Sequence, residues 1–154
     1  MERLIKIGKI KPRKASEIKN SRIGIGFEKL DRKVFNPEKA YDKLAMIGAK
    51  WVRIQSGWER TEQEKGVYDF EWLDSIVDNL LERGLVPWIN LAYGNGLYDD
   101  DAAKVFGAVG CPPVKSEEAK KGWADYITAL AAHMKGSCAG QLLTHLGDDR
   151  SIDP

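Results

Sequence analysis

The sequence contains few of the residues that form disulfides, metal sites or histidine-based catalytic sites. It has only two cysteines, Cys111 and Cys138, and two histidines, His133 and His145. The cysteines show no CxxC spacing and have no histidine cluster nearby, so we expect free thiols, no metal site and no cofactor. Two isolated histidines give no basis for a Ser-His-Asp or Cys-His arrangement. His133 lies near the end of a predicted helix, where we expect it to contribute to capping or to the surface.

Long apolar runs and a strong charge of one sign are also missing. No run approaches the roughly 20 apolar residues of a membrane helix, and the N-terminus lacks the apolar core of a signal peptide. We therefore expect a cytoplasmic protein with no membrane partner. The formal net charge of +1 argues against a dedicated nucleic-acid surface. The chain of 154 residues is long enough for one domain with a substantial core.

Basic residues are concentrated at the N-terminus. Residues 1–22 contain eight Lys or Arg against two Glu. One interpretation is a nucleic-acid arm, but no aromatic residues alternate with the basic ones to stack on bases. We favour a solvated, partly disordered leader and expect no nucleic-acid partner.

One central stretch predicts a strand, a helix and a second strand. Trp51–Gln55 and residues 85–91 are apolar, β-compatible runs. Between them, Asp69 is a candidate helix cap and Gly84 a candidate helix stop. Two strands joined by a helix indicate a βαβ unit with parallel pairing and a right-handed crossover. The apolar positions of the helix are Leu73, Ile76, Val77, Leu80 and Leu81.

A strand and a helix are predicted before this unit. Residues 23–28 read as a strand, and its glycines are not a dinucleotide fingerprint because Lys29 occupies the third glycine position. Asn36 and Pro37 begin a helix that Gly48 ends. The predicted inner face of this helix is Ala40, Tyr41, Leu44 and Ile47.

A third helix follows a long loop. Pro87 cannot donate to a sheet ladder, so we expect the hydrogen-bonded part of the preceding strand to start nearer Trp88. The loop of residues 93–115 holds three consecutive aspartates, a weak calcium signal without the spaced ligands of a calcium loop. Ser116 is the cap of the third helix. Its apolar positions are Ala119, Trp123, Tyr126, Ile127, Leu130 and Met134.

The order of elements favours part of a barrel. The connections that enter helices are long and those that leave them are short, as in a (β/α)₈ barrel, whereas a doubly wound sheet usually has a short glycine-rich first turn. A whole barrel takes about 250 residues, and only three βα units are visible. We predict an α/β fold, the N-terminal part of a TIM barrel, truncated. The partial barrel spans residues 23–136, with an atypical tail at 137–154.

Alternation along the strands predicts which side chains face the barrel lumen. Arg53 and Gln55 fall on that side of the second strand, and Asn90 on that side of the third, with Tyr93 just above. Arg53 either orients a substrate or forms a structural ion pair. The amides suit sugar hydroxyls. Trp58 and Tyr93 suit stacking on a sugar ring, with packing in the rim as the alternative for Trp58.

Three loop glutamates invite two interpretations. Glu59, Glu62 and Glu64 would be candidates for the carboxylate pair of a glycosidase. They alternate with Arg60 and Lys65 in a polar loop, so we favour a solvated, ion-paired loop.

Beyond these patterns, three stretches resemble the N-terminal part of a clan A glycoside hydrolase. They are IGIGFEKLDRKVF, WVRIQSGWERTEQEKGVYDFEWLDSIVDNLLERGLVPWINLAYGNGLYDD and GWADYITALAAHMKG. The closest resemblance is to β-xylosidase-like proteins of family 39. The pattern W-x-R-x-E-x-E-x-G-x-Y-D-F-x-W-L-D also resembles family 42 β-galactosidases.

The resemblance implies a retaining O-glycosyl hydrolase with an oligosaccharide or β-glycoside as its partner. Its acid/base glutamate would lie in an Asn-Glu-Pro motif after the fourth strand. Its nucleophile, a second glutamate, would follow the seventh strand. No Asn-Glu-Pro occurs here, so we expect a truncated glycoside hydrolase with no catalytic residue, inactive alone, whose tail from about Ser137 is foreign. The alternative is a non-catalytic carbohydrate-binding or self-associating half-barrel module. The predicted substrate-binding residues are Phe27, Glu28, Arg53, Gln55, Trp58, Asn90 and Tyr93.

Overall fold

A three-stranded parallel sheet organises the computed structural model, which describes residues 7–9 and 11–136. The predicted tail, residues 137–154, lies outside the described residues. The strands pair in the order β1 (Gly24–Gly26), β2 (Trp51–Gln55) and β3 (Val86–Asn90). The helices are α1 (Tyr41–Leu44), α2 (Trp58–Thr61), α3 (Glu71–Glu82) and α4 (Glu117–Gly136).

The strand register confirms the predicted parallel βαβ unit. Trp51 of β2 is paired with Gly24 on one side and with Val86 on the other, and the pairing with β3 continues to Gln55 and Asn90. All three strands therefore end at the same edge of the sheet. Other parallel sheets share this arrangement, so a closed barrel stays a prediction.

Helix α3 forms where the spacing predicted it. The Asp69 carboxylate accepts a hydrogen bond of 2.9 Å from the Glu71 amide, which satisfies a free donor of the first turn. Gly84, with φ of +75°, ends the helix in the left-handed conformation. The buried residues of α3 are Leu73, Ile76, Val77 and Leu80.

The helices cover one face of the sheet and leave the other open. Val52 and Ile54 are 0% and 1% exposed on the helix side, as their alternation predicted. On the opposite face Trp51 and Trp88 are 43% and 49% exposed. The other face is therefore open at these two tryptophans, whereas Val86 and Gln55 on the same face are 5% and 2% exposed.

The prediction about Pro87 was wrong. Strand β3 begins at Val86, and Pro87 lies within the register opposite Val52. The Val86 amide donates to the Lys50 carbonyl at 2.8 Å, so the alternate residue Pro87 directs its backbone nitrogen away from β2. Because β3 is an edge strand among the described residues, the sheet loses no hydrogen bond at this proline.

The first predicted helix is shorter than expected. The Asn36 side chain accepts from the Glu38 amide at 2.9 Å and starts a 3₁₀ turn, Pro37–Lys39, which precedes the single turn of α1. Ile47 lies beyond the end of α1 and is 55% exposed, so its assignment to the inner face was wrong. Helical periodicity does not extend to a residue outside the helix.

Part of the predicted disordered leader packs against the sheet's N-terminal end. The Ala15 amide donates to the Ala45 carbonyl at 2.8 Å, and Ala15 and Ile18 are buried. The Lys50 ammonium donates to the carbonyls of Ala15 at 3.3 Å and Gly84 at 2.6 Å. These contacts make residues 13–18 part of the folded unit rather than a solvated arm.

Helix α4 closes the helical layer. The Ser116 hydroxyl accepts from the Ala119 amide at 3.0 Å, which confirms the predicted cap. Tyr126 is fully buried. His133, expected at a cap or at the surface, instead contacts the Asp74 carboxylate of α3 at 2.8 Å. In the part of the chain that the structure describes, no helix is both long and apolar enough to cross a membrane.

Two glycines with the same backbone conformation give a matched stability test. A Cβ on Gly84 (φ +75°) would lie 2.6 Å from the Ser16 Cα, whereas a Cβ on Gly66 (φ +79°) would meet nothing within 4 Å. We expect Gly66→Ala to cost about 1–2 kcal/mol of unfolding free energy from backbone strain alone, and Gly84→Ala more than about 3 kcal/mol because a clash adds to it. Urea denaturation of both variants checks this. Equal losses would show that the leader does not pack against Gly84.

Candidate functional site

Charged groups meet at the C-terminal ends of β1 and β2. The Arg53 guanidinium forms an ion pair with the Glu28 carboxylate and lies 5.9 Å from the centre of the Trp88 ring. Glu28 reaches across Gly26, where a Cβ would approach its Oε1 to 3.0 Å. Arg53 therefore forms the ion pair that was one of its two interpretations, and the Glu28 carboxylate balances its charge.

Gln55, at the end of β2, connects the loops that follow β1 and β3. Its side chain is 2% exposed. Its Oε1 accepts a hydrogen bond of 2.9 Å from the Lys29 amide after β1, and its Nε2 donates to the Tyr93 hydroxyl after β3. A buried amide with both ends bonded has one orientation. Gln55 therefore fixes Tyr93 relative to the first loop.

Asn90 and Tyr93 line an open cavity beside β3. It has a volume of about 280 Å³. Most of its other lining is apolar, and it includes Leu91, Pro112 and the Trp123 ring. The structure thus brings Glu28, Arg53, Gln55, Asn90 and Tyr93 to one edge of the sheet.

Two predicted site residues lie elsewhere. Trp58 is 1% exposed, and its ring stacks between Tyr98 at 5.1 Å and Tyr126 at 5.9 Å. Phe27 is 7% exposed and packs against Phe35 in the core. Neither ring offers a free face for a sugar, so the candidate site does not include them.

Glu62 is the main functional group that sequence reasoning placed wrongly. It is 0% exposed, not solvated. Its Oε1 accepts from the Gly66 amide at 2.7 Å and from the Tyr98 hydroxyl at 2.6 Å, and its Oε2 accepts from the Trp58 indole at 2.5 Å. Its backbone carbonyl accepts a hydrogen bond of 2.8 Å from the side-chain amide of Asn95. A buried carboxylate with three donors is a structural clamp between two loops.

The raised pKa of the Tyr98 phenol belongs to the same clamp. Burial is the main cause, and the hydrogen bond to the Glu62 carboxylate adds to it because a phenolate beside a carboxylate is unfavourable. Tyr98 therefore remains protonated as a donor. One local signal pointed to the clamp: Trp58 and Glu62 are four residues apart, the spacing at which side chains meet on a helix.

A second carboxyl group, Asp31, was also missed. It is 8% exposed, and burial raises its pKa even though the Arg32 guanidinium opposes the shift. Burial likewise raises the pKa of Glu59; the Gly96 amide opposes this shift and the Asp31 charge adds to it. Both acids line a cavity of about 220 Å³ on the outer side of the loops.

Two of the three consecutive aspartates are held by a lysine. The Lys115 ammonium contacts Asp101 at 2.6 Å and Asp99 at 3.2 Å. The hydrogen bond from Lys115 lowers the pKa of Asp101, and the Asp101 amide lowers that of Asp99. Among the described residues, no three His, Cys, Asp or Glu side chains are grouped as metal ligands. Cys111 is a half-buried free thiol, whereas Cys138 lies outside the described range.

A comparison with known families gives a match to the part of the chain that contains this edge. Residues 27–96 match the model of the Glyco_hydro_42 family, described as β-galactosidase. The matched range is under half of the chain and contains all seven predicted substrate-binding residues. The match supports a relationship to glycoside hydrolases in general, and it does not single out family 39, the first resemblance given above. No solved structure matches the chain.

The Glu62 clamp predicts a large effect of a conservative change. Glu62→Gln keeps the shape but replaces one acceptor oxygen with a donor, so at least one of the three donors faces another donor. We expect a loss of about 1–3 kcal/mol of unfolding free energy. Thermal or urea denaturation measures it, with Glu64→Gln as the control, since Glu64 is exposed. If both variants were as stable as the parent chain, the carboxylate would not be needed.

Proposed function

We propose that the chain is a glycoside hydrolase relative that binds a β-glycoside at the C-terminal edge of its sheet. The observation that carries this proposal is the cluster of Gln55, Asn90 and Tyr93 beside the ion pair of Arg53 and Glu28, inside the region that matches the β-galactosidase family. Ligand sites of parallel α/β folds lie at this edge of the sheet.

The chemistry of the cluster suits an uncharged polyhydroxylated ligand. Asn90 and Tyr93 offer amide and phenol groups that donate and accept, as sugar hydroxyls require. Because Glu28 balances the charge of Arg53, this pair adds no net charge that would favour an anionic ligand. The half-exposed Trp88 and the apolar cavity lining beside Asn90 suit the apolar face of a sugar ring.

We further propose that this chain binds without hydrolysing. A retaining glycosidase needs two carboxyl groups about 5–5.5 Å apart on either side of the bond. The Glu28 carboxylate is engaged by Arg53, and Glu62 is buried in its clamp. Asp31 and Glu59 line a different cavity from the one that Asn90 and Tyr93 line. The sequence also has no Asn-Glu-Pro motif, in which the resemblance would place the acid/base glutamate.

Binding and hydrolysis are tested separately. We expect methyl β-D-galactopyranoside to shift the amide resonances of residues around Asn90 in the ¹⁵N-labelled protein. Asn90→Ala should raise the dissociation constant about fivefold, because one neutral hydrogen bond contributes about 1 kcal/mol. The control is Asn20→Ala, an exposed residue before β1 at the opposite end of the sheet.

The hydrolysis assay uses 4-nitrophenyl β-galactoside and β-xyloside. We expect no release of nitrophenol above the buffer rate. Turnover that survives purification and disappears in Glu28→Gln would contradict the non-catalytic assignment. Absence of any galactoside or xyloside binding would contradict the glycoside site itself.

A self-associating half-barrel is the second candidate. Strands β1 and β3 each pair on one side only among the described residues, and Trp51 and Trp88 are exposed on the uncovered face. Free edges and an open apolar face favour pairing with another chain. A second copy would cover this face.

Size-exclusion chromatography with light scattering tests this candidate. We expect a discrete dimer at tens of micromolar protein and a shift to monomer in Trp88→Lys, which places a charge on the open face. The control is Val67→Lys, which replaces an apolar side chain that is 57% exposed outside the sheet. A chain that remains monomeric at all concentrations would exclude self-association.

A further inference from the structure

We propose that the Tyr93 hydroxyl donates a hydrogen bond to an oxygen of the bound glycoside, and that Gln55 is the positioning residue that gives Tyr93 this polarity. The inference rests on the proposed function, because it assigns a role within the same site. It follows from which atoms in the cluster are able to donate and which are able to accept.

The orientation of the Gln55 amide follows from its backbone neighbour. The Lys29 N–H is able only to donate, and it lies 2.9 Å from the Gln55 side chain, so the atom facing it is the acceptor Oε1. The amide nitrogen then faces Tyr93. Because an amide NH₂ group is only a donor, the Tyr93 oxygen accepts this hydrogen bond.

The hydroxyl hydrogen of Tyr93 therefore points away from the Gln55 amide nitrogen. Among the described residues, no acceptor receives it: the other contact of Tyr93 is the Arg32 guanidinium, 5.9 Å from the ring centre. Tyr93 lines the 280 Å³ cavity together with Asn90, and the rest of that lining is mostly apolar. An acceptor for this hydrogen has to come from a ligand or from water.

This polarity restricts the ligand group that binds there. A hydroxyl, ring or glycosidic oxygen has a lone pair for the Tyr93 hydrogen, whereas a protonated amine offers only donors. The site thus favours an ether or hydroxyl oxygen at this position. Without Gln55, the Tyr93 hydroxyl would rotate to either role.

Two variants change the same hydrogen bond in different ways. Tyr93→Phe removes the hydroxyl. Gln55→Glu keeps the size of the side chain but places a carboxylate oxygen opposite Tyr93, so the hydroxyl donates to that oxygen and is withdrawn from the ligand. The control is Tyr68→Phe, at a half-buried tyrosine on the helix side. Circular dichroism establishes that each full-length variant is folded.

The test measures methyl β-D-galactopyranoside binding by ¹⁵N resonance titration. We expect both single variants to raise the dissociation constant about threefold to tenfold, the double variant to bind no more weakly than Tyr93→Phe, and Tyr68→Phe to bind as the parent chain does. Parent-like binding by either Gln55→Glu or Tyr93→Phe overturns the inference, while galactoside binding by the parent chain still supports the proposed function.

A measurement without ligand distinguishes failure of the proposed function from failure of the Tyr93 inference. If the parent chain does not bind the galactoside, the proposed function fails, and the polarity is decided by hydrogen exchange. We expect slow exchange of the Lys29 amide hydrogen and of one Gln55 side-chain hydrogen. In Tyr93→Phe, the Gln55 hydrogen should exchange fast, because its acceptor is gone. Fast exchange of both in the parent chain overturns the inference.

Discussion

The burial of Val52 and Ile54 beneath the helices decides which face of the sheet carries the polar residues of β2. Side chains alternate along a strand, so fixing these two residues on the helix side puts Arg53 and Gln55 on the open face. A shift of one residue would exchange the two sets and bury an arginine in the core. Because the parallel register pairs Gln55 with Asn90, the Asn90 side chain of β3 lies on the same face.

This constraint explains why so much of the edge was predictable. Period-two alternation with apolar residues on one side is strong in β2, and Asp69 and Gly84 mark the limits of α3 in the sequence itself. Local signals of this kind depend on neighbours along the chain. They identified Arg53, Gln55, Asn90 and Tyr93, which the structure brings together, although the sequence alone did not distinguish a substrate-binding arginine from one paired with Glu28.

The residues that were misplaced depend on partners distant in sequence. Glu62 lies in a run of alternating charges that is typical of a solvated loop, and it is buried because Tyr98, 36 residues later, donates to it. Trp58 belongs to the same cluster, since its partner Tyr126 is supplied by α4. Ala15 also lies in a basic segment, and its backbone contacts Ala45 and Lys50, which are 30 or more residues later. No window along the chain contains both members of these contacts.

The Lys50 ammonium has a practical consequence for where the domain can be cut. It joins the carbonyls of Ala15 and Gly84 under the N-terminal end of the sheet. A version of the protein that began at Ile23 would keep all three strands but would leave this cation beside one acceptor instead of two, and would remove the buried side chains of Ala15 and Ile18. Residues 13–18 therefore belong with the sheet in any shortened version of the protein, since the Arg13 backbone also bridges to Ile47.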